Sequence, residues 1–103
     1  MKRAITTAAK VIRSKNSGPY ELTLDILFKD RAHFELFRRR NIVTKQKIAA
    51  LYKRPVADIL KLVYFEPSNA LKITMRRPIP SGDAGDTDIY GAQQHAPLLS
   101  LTY

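Results

Sequence analysis

Between Ser81 and Pro97 the chain gathers Asp83, Asp86, Asp88, Tyr90, Gln93, Gln94 and His95 among three glycines. Carboxylate, phenol, amide and imidazole groups at this density are what a binding or catalytic segment is made of, and a plain linker needs none of the last three. A free imidazole titrates near neutrality, so a residue of the type of His95 can act as a general acid or base, with Asp88 and Gln94 as groups that orient it. We therefore assign His95 and Asp88 as the candidate catalytic pair. Asp86, Tyr90, Gln93 and Gln94 are the candidate ligand contacts beside them. The glycines that bracket Tyr90 let backbone N–H groups come close to a ligand.

Asp83, Asp86 and Asp88 also have the chemistry to hold a hard cation, with His95 or Gln93 completing the shell. Their spacing does not follow the calcium-loop pattern, which alternates oxygen ligands and ends in a much later bidentate glutamate. Aspartates beside Gly82 and Gly85 have a simpler use, accepting hydrogen bonds from their own backbone turns. No residue is assigned to a metal, and no cofactor is named by the sequence.

A second polar cluster, Ser14-Lys15-Asn16-Ser17-Gly18-Pro19-Tyr20, offers Lys15 and Asn16 as contacts for an anionic group. With one glycine it is not a phosphate cradle. Glu21 and Asp25 lie opposite the aliphatic row of the following strand. They are ordinary acids if water covers that face, and need partners if protein does.

The elements that must position these residues are legible in the apolar spacing. Ile5, Ala8, Ala9 and Ile12 predict a short helix from about Ala4 to Arg13. Tyr20 to Phe28 alternates apolar and polar residues as a half-buried strand does. Asp30 is placed to cap a helix reaching Arg40, with Phe34 and Phe37 on one side and Asn41 to close it. Thr44 caps a third helix carrying Ile48, Leu51 and Tyr52, and Val56 to Asp58 reads as a single turn. Ile59 to Phe65 and Ala70 to Met75 predict an antiparallel hairpin across Glu66-Pro67-Ser68-Asn69. Leu98 to Thr102 has the composition of a last strand, which makes the polar segment a long connection. The expected fold is α+β: an antiparallel sheet of about four strands with two to three helices on one face.

At 103 residues the chain is long enough for one domain, residues 1–103, and its 45% apolar residues suffice for one core. The absence of cysteine removes disulfides, thiolate metal sites and cysteine nucleophiles, and fits a cytoplasmic protein. Neither a membrane span nor a secretory leader is apparent. The net charge of +9 is unevenly placed: all 18 lysines and arginines precede Pro78, and after Pro80 the only residues among Asp, Glu, Lys and Arg are three aspartates. Such a surplus invites a polyanionic partner. Arg38, Arg39, Arg40, Lys45, Lys47, Lys53 and Arg54 on the helix pair raise a nucleic-acid-binding module as an alternative. The turn between the helices lacks glycine, and Tyr64 and Phe65 are adjacent and so point to opposite sides.

The stretches Val11 to Ile26 and Gly85 to Leu99 resemble a family of small bacterial proteins of unknown function, associated with the acyclic terpene utilisation protein A family. The resemblance runs from near Ala4 to the end of the chain. It implies a small subunit, adjacent or fused to a larger enzyme of branched-acid and acyl-CoA metabolism, with Ser14 to Asp25 and Gly85 to Pro97 at a shared site or interface. The basic surface at Arg38 to Arg40 departs from that family's pattern. A chain of this length hardly encloses a CoA-sized ligand, so a larger partner or a second copy is expected to complete the site. The remaining alternative is a structural homo-oligomer without a ligand.

Overall fold

The computed structural model describes residues 3–18, 20–76 and 96–103. Four antiparallel strands, β1 (Ala9–Gly18), β2 (Glu21–Phe28), β3 (Ile59–Phe65) and β4 (Ala70–Arg76), form one sheet in the order β1-β2-β4-β3. Two helices, α1 (Arg31–Arg40) and α2 (Lys45–Tyr52), connect the two hairpins. This is the α+β architecture that the apolar spacing predicts, with a different first element and a different last one.

The expected helix over Ala4 to Arg13 is instead a 3-10 turn, Ile5–Thr7, running into β1. Both arrangements bury Ile5, Ala8 and Ala9. Pairing decides between them, because β1 lies along β2 from Ala9 opposite Phe28 to Gly18 opposite Glu21. A helix there would leave that edge of β2 without its ladder, and Val11, Ile12, Ser14 and Asn16 are poor helix formers. The polar cluster from Ser14 to Gly18 is therefore strand rather than loop.

The helix boundaries follow the capping residues. Asp30 Oδ1 accepts from the His33 backbone N–H at 2.9 Å, and Thr44 Oγ1 accepts from that of Lys47 at 3.1 Å. Asn41, with φ 47°, ends α1 in the left-handed region. The hydrogen bond from the His33 N–H also holds the Asp30 carboxyl below its usual range. Val56–Asp58 is the expected single turn, and Glu66–Ser68 fills the hairpin connection as a 3-10 turn.

One sheet face is covered. Leu24, Ile26, Phe28, Leu71 and Ile73 are buried against Phe34 and Phe37 of α1 and Ile48 of α2. Phe28 is the hub, its ring centroid 6.2 Å from Phe34 and 4.7 Å from Phe37. Arg31 and Arg38 pin α1 to the β3–β4 connection by pairing with Glu66, at 3.2 and 2.8 Å, and both share Glu35.

The last element is also corrected. Ala96–Ser100 is a 3-10 turn, and a single bridge pairs Thr102 with Ala4. Leu98 and Leu101 are buried while Leu99 is exposed. That three-residue spacing suits a 3-10 turn and cannot place both leucines on one face of a strand.

Burial pushes the phenols of Tyr52 and Tyr64 upward. A phenol that ionises later in the folded chain lends stability below its ordinary range, and that stability is lost as pH rises through and above about 10. In an alkaline titration followed at 295 nm, Tyr52 and Tyr64 should ionise late and in step with unfolding. Five superimposable, reversible ionisations would contradict their burial.

Candidate functional site

The corner where α1 gives way to α2 faces the C-terminal segment across a cleft of about 550 Å³. Arg40, Asn41, Ile42, Lys47 and Leu51 form one wall, and Ser100 to Tyr103 form the other. The C-terminal wall is fixed by backbone pairing with the start of the chain. Arg3 N–H donates to Tyr103 O at 2.8 Å, Tyr103 N–H to Arg3 O at 2.9 Å, and Ile5 N–H to Leu101 O at 3.0 Å. Tyr103 packs its ring 4.9 Å from that of Phe37 and bonds its hydroxyl to Thr7 Oγ1 at 2.7 Å. The cleft is thus built on the aromatic core.

Its chemistry is a pair of cations over an apolar floor. Leu101 is buried, and Ile42, Leu51 and Tyr103 pack partly buried against the core. Arg40 and Lys47 are exposed, and neither has an ion-pair partner among the described residues. The reason lies in helix spacing. Arg38 and Arg39 find Glu35 three and four residues back, at 2.7 and 3.5 Å, whereas Arg40 finds Phe37 and Leu36 there. Lys47 has no acid three or four residues away in either direction. Guanidinium and ammonium groups left over beside apolar side chains suit an anion with an apolar body. The same spacing was visible in the sequence, but nothing there showed that the C-terminal segment closes the cleft.

Of the other basic residues of the helix pair all but Lys53 are engaged among the described residues, Lys45 Nζ donating to Leu60 O at 3.5 Å and Arg39 meeting Glu35. Arg31 and Arg38 serve Glu35 and Glu66, and Arg54 serves Asp58 with its Nε at 3.1 Å. Phe34, Phe37, Ile48 and Ala49 turn one side of both helices into the core. His33, half-buried, places Nδ1 2.8 Å from Asp30 Oδ1 and takes part in the helix cap.

Lys15 and Asn16 lie next to each other on β1 and so project from opposite sides of the sheet. Lys15 pairs across to Thr23 on the uncovered side, and Asn16 to Leu22 on the helix side. The structure does not bring them together on one ligand. Glu21 is exposed, whereas Asp25 is buried and answered by Arg13 and Lys72. Asp86, Asp88, Tyr90, Gln93, Gln94 and His95 lie outside the described residues. Among the described residues no group of three or more histidine or acidic side chains is placed to hold a metal ion, and no helix is long and apolar enough to cross a membrane.

One family model matches the chain over residues 5–102, under the description Domain of unknown function (DUF4387). The chain belongs to that family. The DUF4387 match runs from Ile5, the first buried residue among those described, to Thr102, which bridges Ala4. It takes in the whole sheet, both helices and the residues from Ser81 to Pro97. No curated protein and no solved structure matches the chain.

Proposed function

We propose that this DUF4387 chain is a single-domain accessory subunit of a cytoplasmic enzyme acting on branched acids or their acyl-CoA thioesters. The resemblance to the small family associated with acyclic terpene utilisation protein A points to that metabolism. The observation that carries the reading is that Arg40 and Lys47, without an ion-pair partner among the described residues, stand beside the apolar floor of the cleft. A carboxylate or phosphate would meet the two cations, and a branched chain would lie on Ile42, Leu51 and Leu101.

The polar segment Gly85 to Pro97 precedes the wall of this cleft in the chain, and in this reading it supplies the remaining groups. His95 transfers or donates the proton, with Asp88 and Gln94 orienting it. Asp86, Tyr90 and Gln93 contact the ligand, and Lys15 and Asn16 offer further polar contacts near an interface. The cleft is open and smaller than a CoA thioester requires, so a larger enzyme or a second copy completes it.

Calorimetry with isovalerate and isovaleryl-CoA tests the reading. The chain should bind at least one of them, and Arg40→Glu with Lys47→Glu should weaken binding by more than about tenfold, since charge-assisted hydrogen bonds contribute about 1.5–3 kcal/mol each. Absence of binding to both ligands, alone and with a partner present, would remove the reading. Equal affinity of the double variant would remove the cleft from it.

A further inference from the structure

The helices cover one face of the sheet, and the strand register orders the other into three rows. One row runs Lys15, Thr23, Thr74, Lys61; the next runs Arg13, Asp25, Lys72, Val63; the third runs Val11, Leu27, Ala70, Phe65. The first is cationic and hydroxylic, the second charged, and the third wholly apolar. On β3, Val63 and Phe65 lie together and remain 47% and 42% exposed, and Val11, on the opposite edge strand β1, is 41% exposed. Large apolar side chains grouped on one surface of a small chain mark contact sites more often than scattered ones do.

Asp25 fixes the centre of this face. It is 1% exposed, with Arg13 Nε donating to Oδ2 at 3.1 Å and Lys72 Nζ 3.8 Å from Oδ1, an oxygen left without a hydrogen bond. Lys72 Nζ also sits 5.6 Å from the centre of the Phe65 ring. One carboxylate thus holds two long cationic side chains across the sheet and joins the charged row to the apolar one. Side chains already held in place cost less to order when a partner arrives.

We propose that this face docks a protein whose contact surface is an apolar strip flanked by carboxylates. The charge decides among occupants. Asp25 is consumed between Arg13 and Lys72, and Lys15 and Lys61 have no ion-pair partner among the described residues. A second copy would set these cations against their own kind, which costs free energy at a contact. Single-stranded nucleic acid needs several stacking rings, and Phe65 is the one aromatic in the three rows. Tyr64, its neighbour, points into the helix side and donates to Phe37 O at 3.2 Å. The proposal goes beyond the ligand reading, because the cleft is built from the helices and the C-terminal segment rather than from this face.

The test uses a fluorescein-labelled synthetic helical peptide with a leucine stripe bordered by glutamates, read by anisotropy at two salt concentrations. The chain should bind it, less tightly at high salt, and should not bind the same peptide with lysines in place of glutamates. V63T with F65S, and separately K15E with K61E, should each raise Kd about tenfold or more, with melting curves close to the parent because all four side chains are exposed. R40E with K47E should leave it unchanged, which separates failure here from failure of the ligand reading. Absent binding, or equal binding by the face variants, overturns the proposal. So does a dimer dissolved by V63T with F65S, or oligonucleotide binding lost in the same variants. Peptide binding that emerges only after D83N, D86N and D88N together assigns the face to the chain's own acidic segment and overturns it as well.

Discussion

Phe37→Ala should cost about 3–5 kcal/mol of stability, the range for removing a buried phenylalanine from a core that cannot collapse around the space. Phe37 is fully buried, with its ring 4.7 Å from Phe28 and 4.9 Å from Tyr103. It joins the sheet to α1 and α1 to the C-terminal segment, so the cavity would open at the one place where all three meet. A chain of this size has about 5–15 kcal/mol in total, and each kcal/mol moves the midpoint by about 4–8 °C. A circular dichroism melt should therefore fall by tens of degrees or show no cooperative transition. The comparison is Phe65→Ala, where the ring is 42% exposed, and there the shift should be a few degrees. Equal shifts for the two would mean that the Phe28–Phe37 contact is not the hub. A parallel loss of ligand binding is expected, because Tyr103 lines the cleft and rests on Phe37.

The second large effect concerns Asp25. Removing either cation alone should cost about 1 kcal/mol or less, since Arg13 and Lys72 have side chains 56% and 42% exposed and the remaining one still answers the carboxylate. Removing both, as Arg13→Met with Lys72→Met, leaves a buried charge without a counterion. That change should cost about 3 kcal/mol or more at neutral pH. Adding Asp25→Leu to the pair should restore most of the loss, because an apolar row then replaces the stranded charge. Urea denaturation of the parent and the four variants measures it. A triple variant no more stable than the double would show that Asp25 contributes through something other than its two cations.

Two elements show how much of this was legible beforehand. The alternation from Glu21 to Phe28 and the capping residues Asp30 and Thr44 are local signals, and the structure follows them because each depends on side chains a few positions apart. The start of the chain does not yield to the same logic. Ile5, Ala8, Ala9 and Ile12 have helical spacing, yet the backbone from Ala9 onward is claimed by the edge of β2, with Ala9 opposite Phe28 and Ile12 opposite Ile26, while Ile5 N–H donates to Leu101 O. Leu98 to Thr102 has strand composition, and it is held as a turn because Leu98 and Leu101 must both reach the core. In each case a distant partner overrode local spacing.

The candidate site divides in the same way. His95, Asp88 and their neighbours are proposed from residue types alone, and Lys15 and Asn16 were grouped as neighbours in sequence until the pleat separated them. The cleft pairs residues 40–51 with residues 100–103, and the rows of the open face join four strands. Neither grouping has a sequence signature, because neither is contiguous.

By itself the sequence determined the charge imbalance, the lack of thiol chemistry, both helices with their caps, three of the four strands and the α+β class, all matters of composition or short-range periodicity. Tertiary structure alone decided that the C-terminal segment faces Arg40 and Lys47 across a cleft, that Asp25 is buried between Arg13 and Lys72, and that among the described residues no helix lies over the second sheet face. Those outcomes depend on strand order and register, and register is set by the sum of long-range contacts rather than by any one stretch of residues.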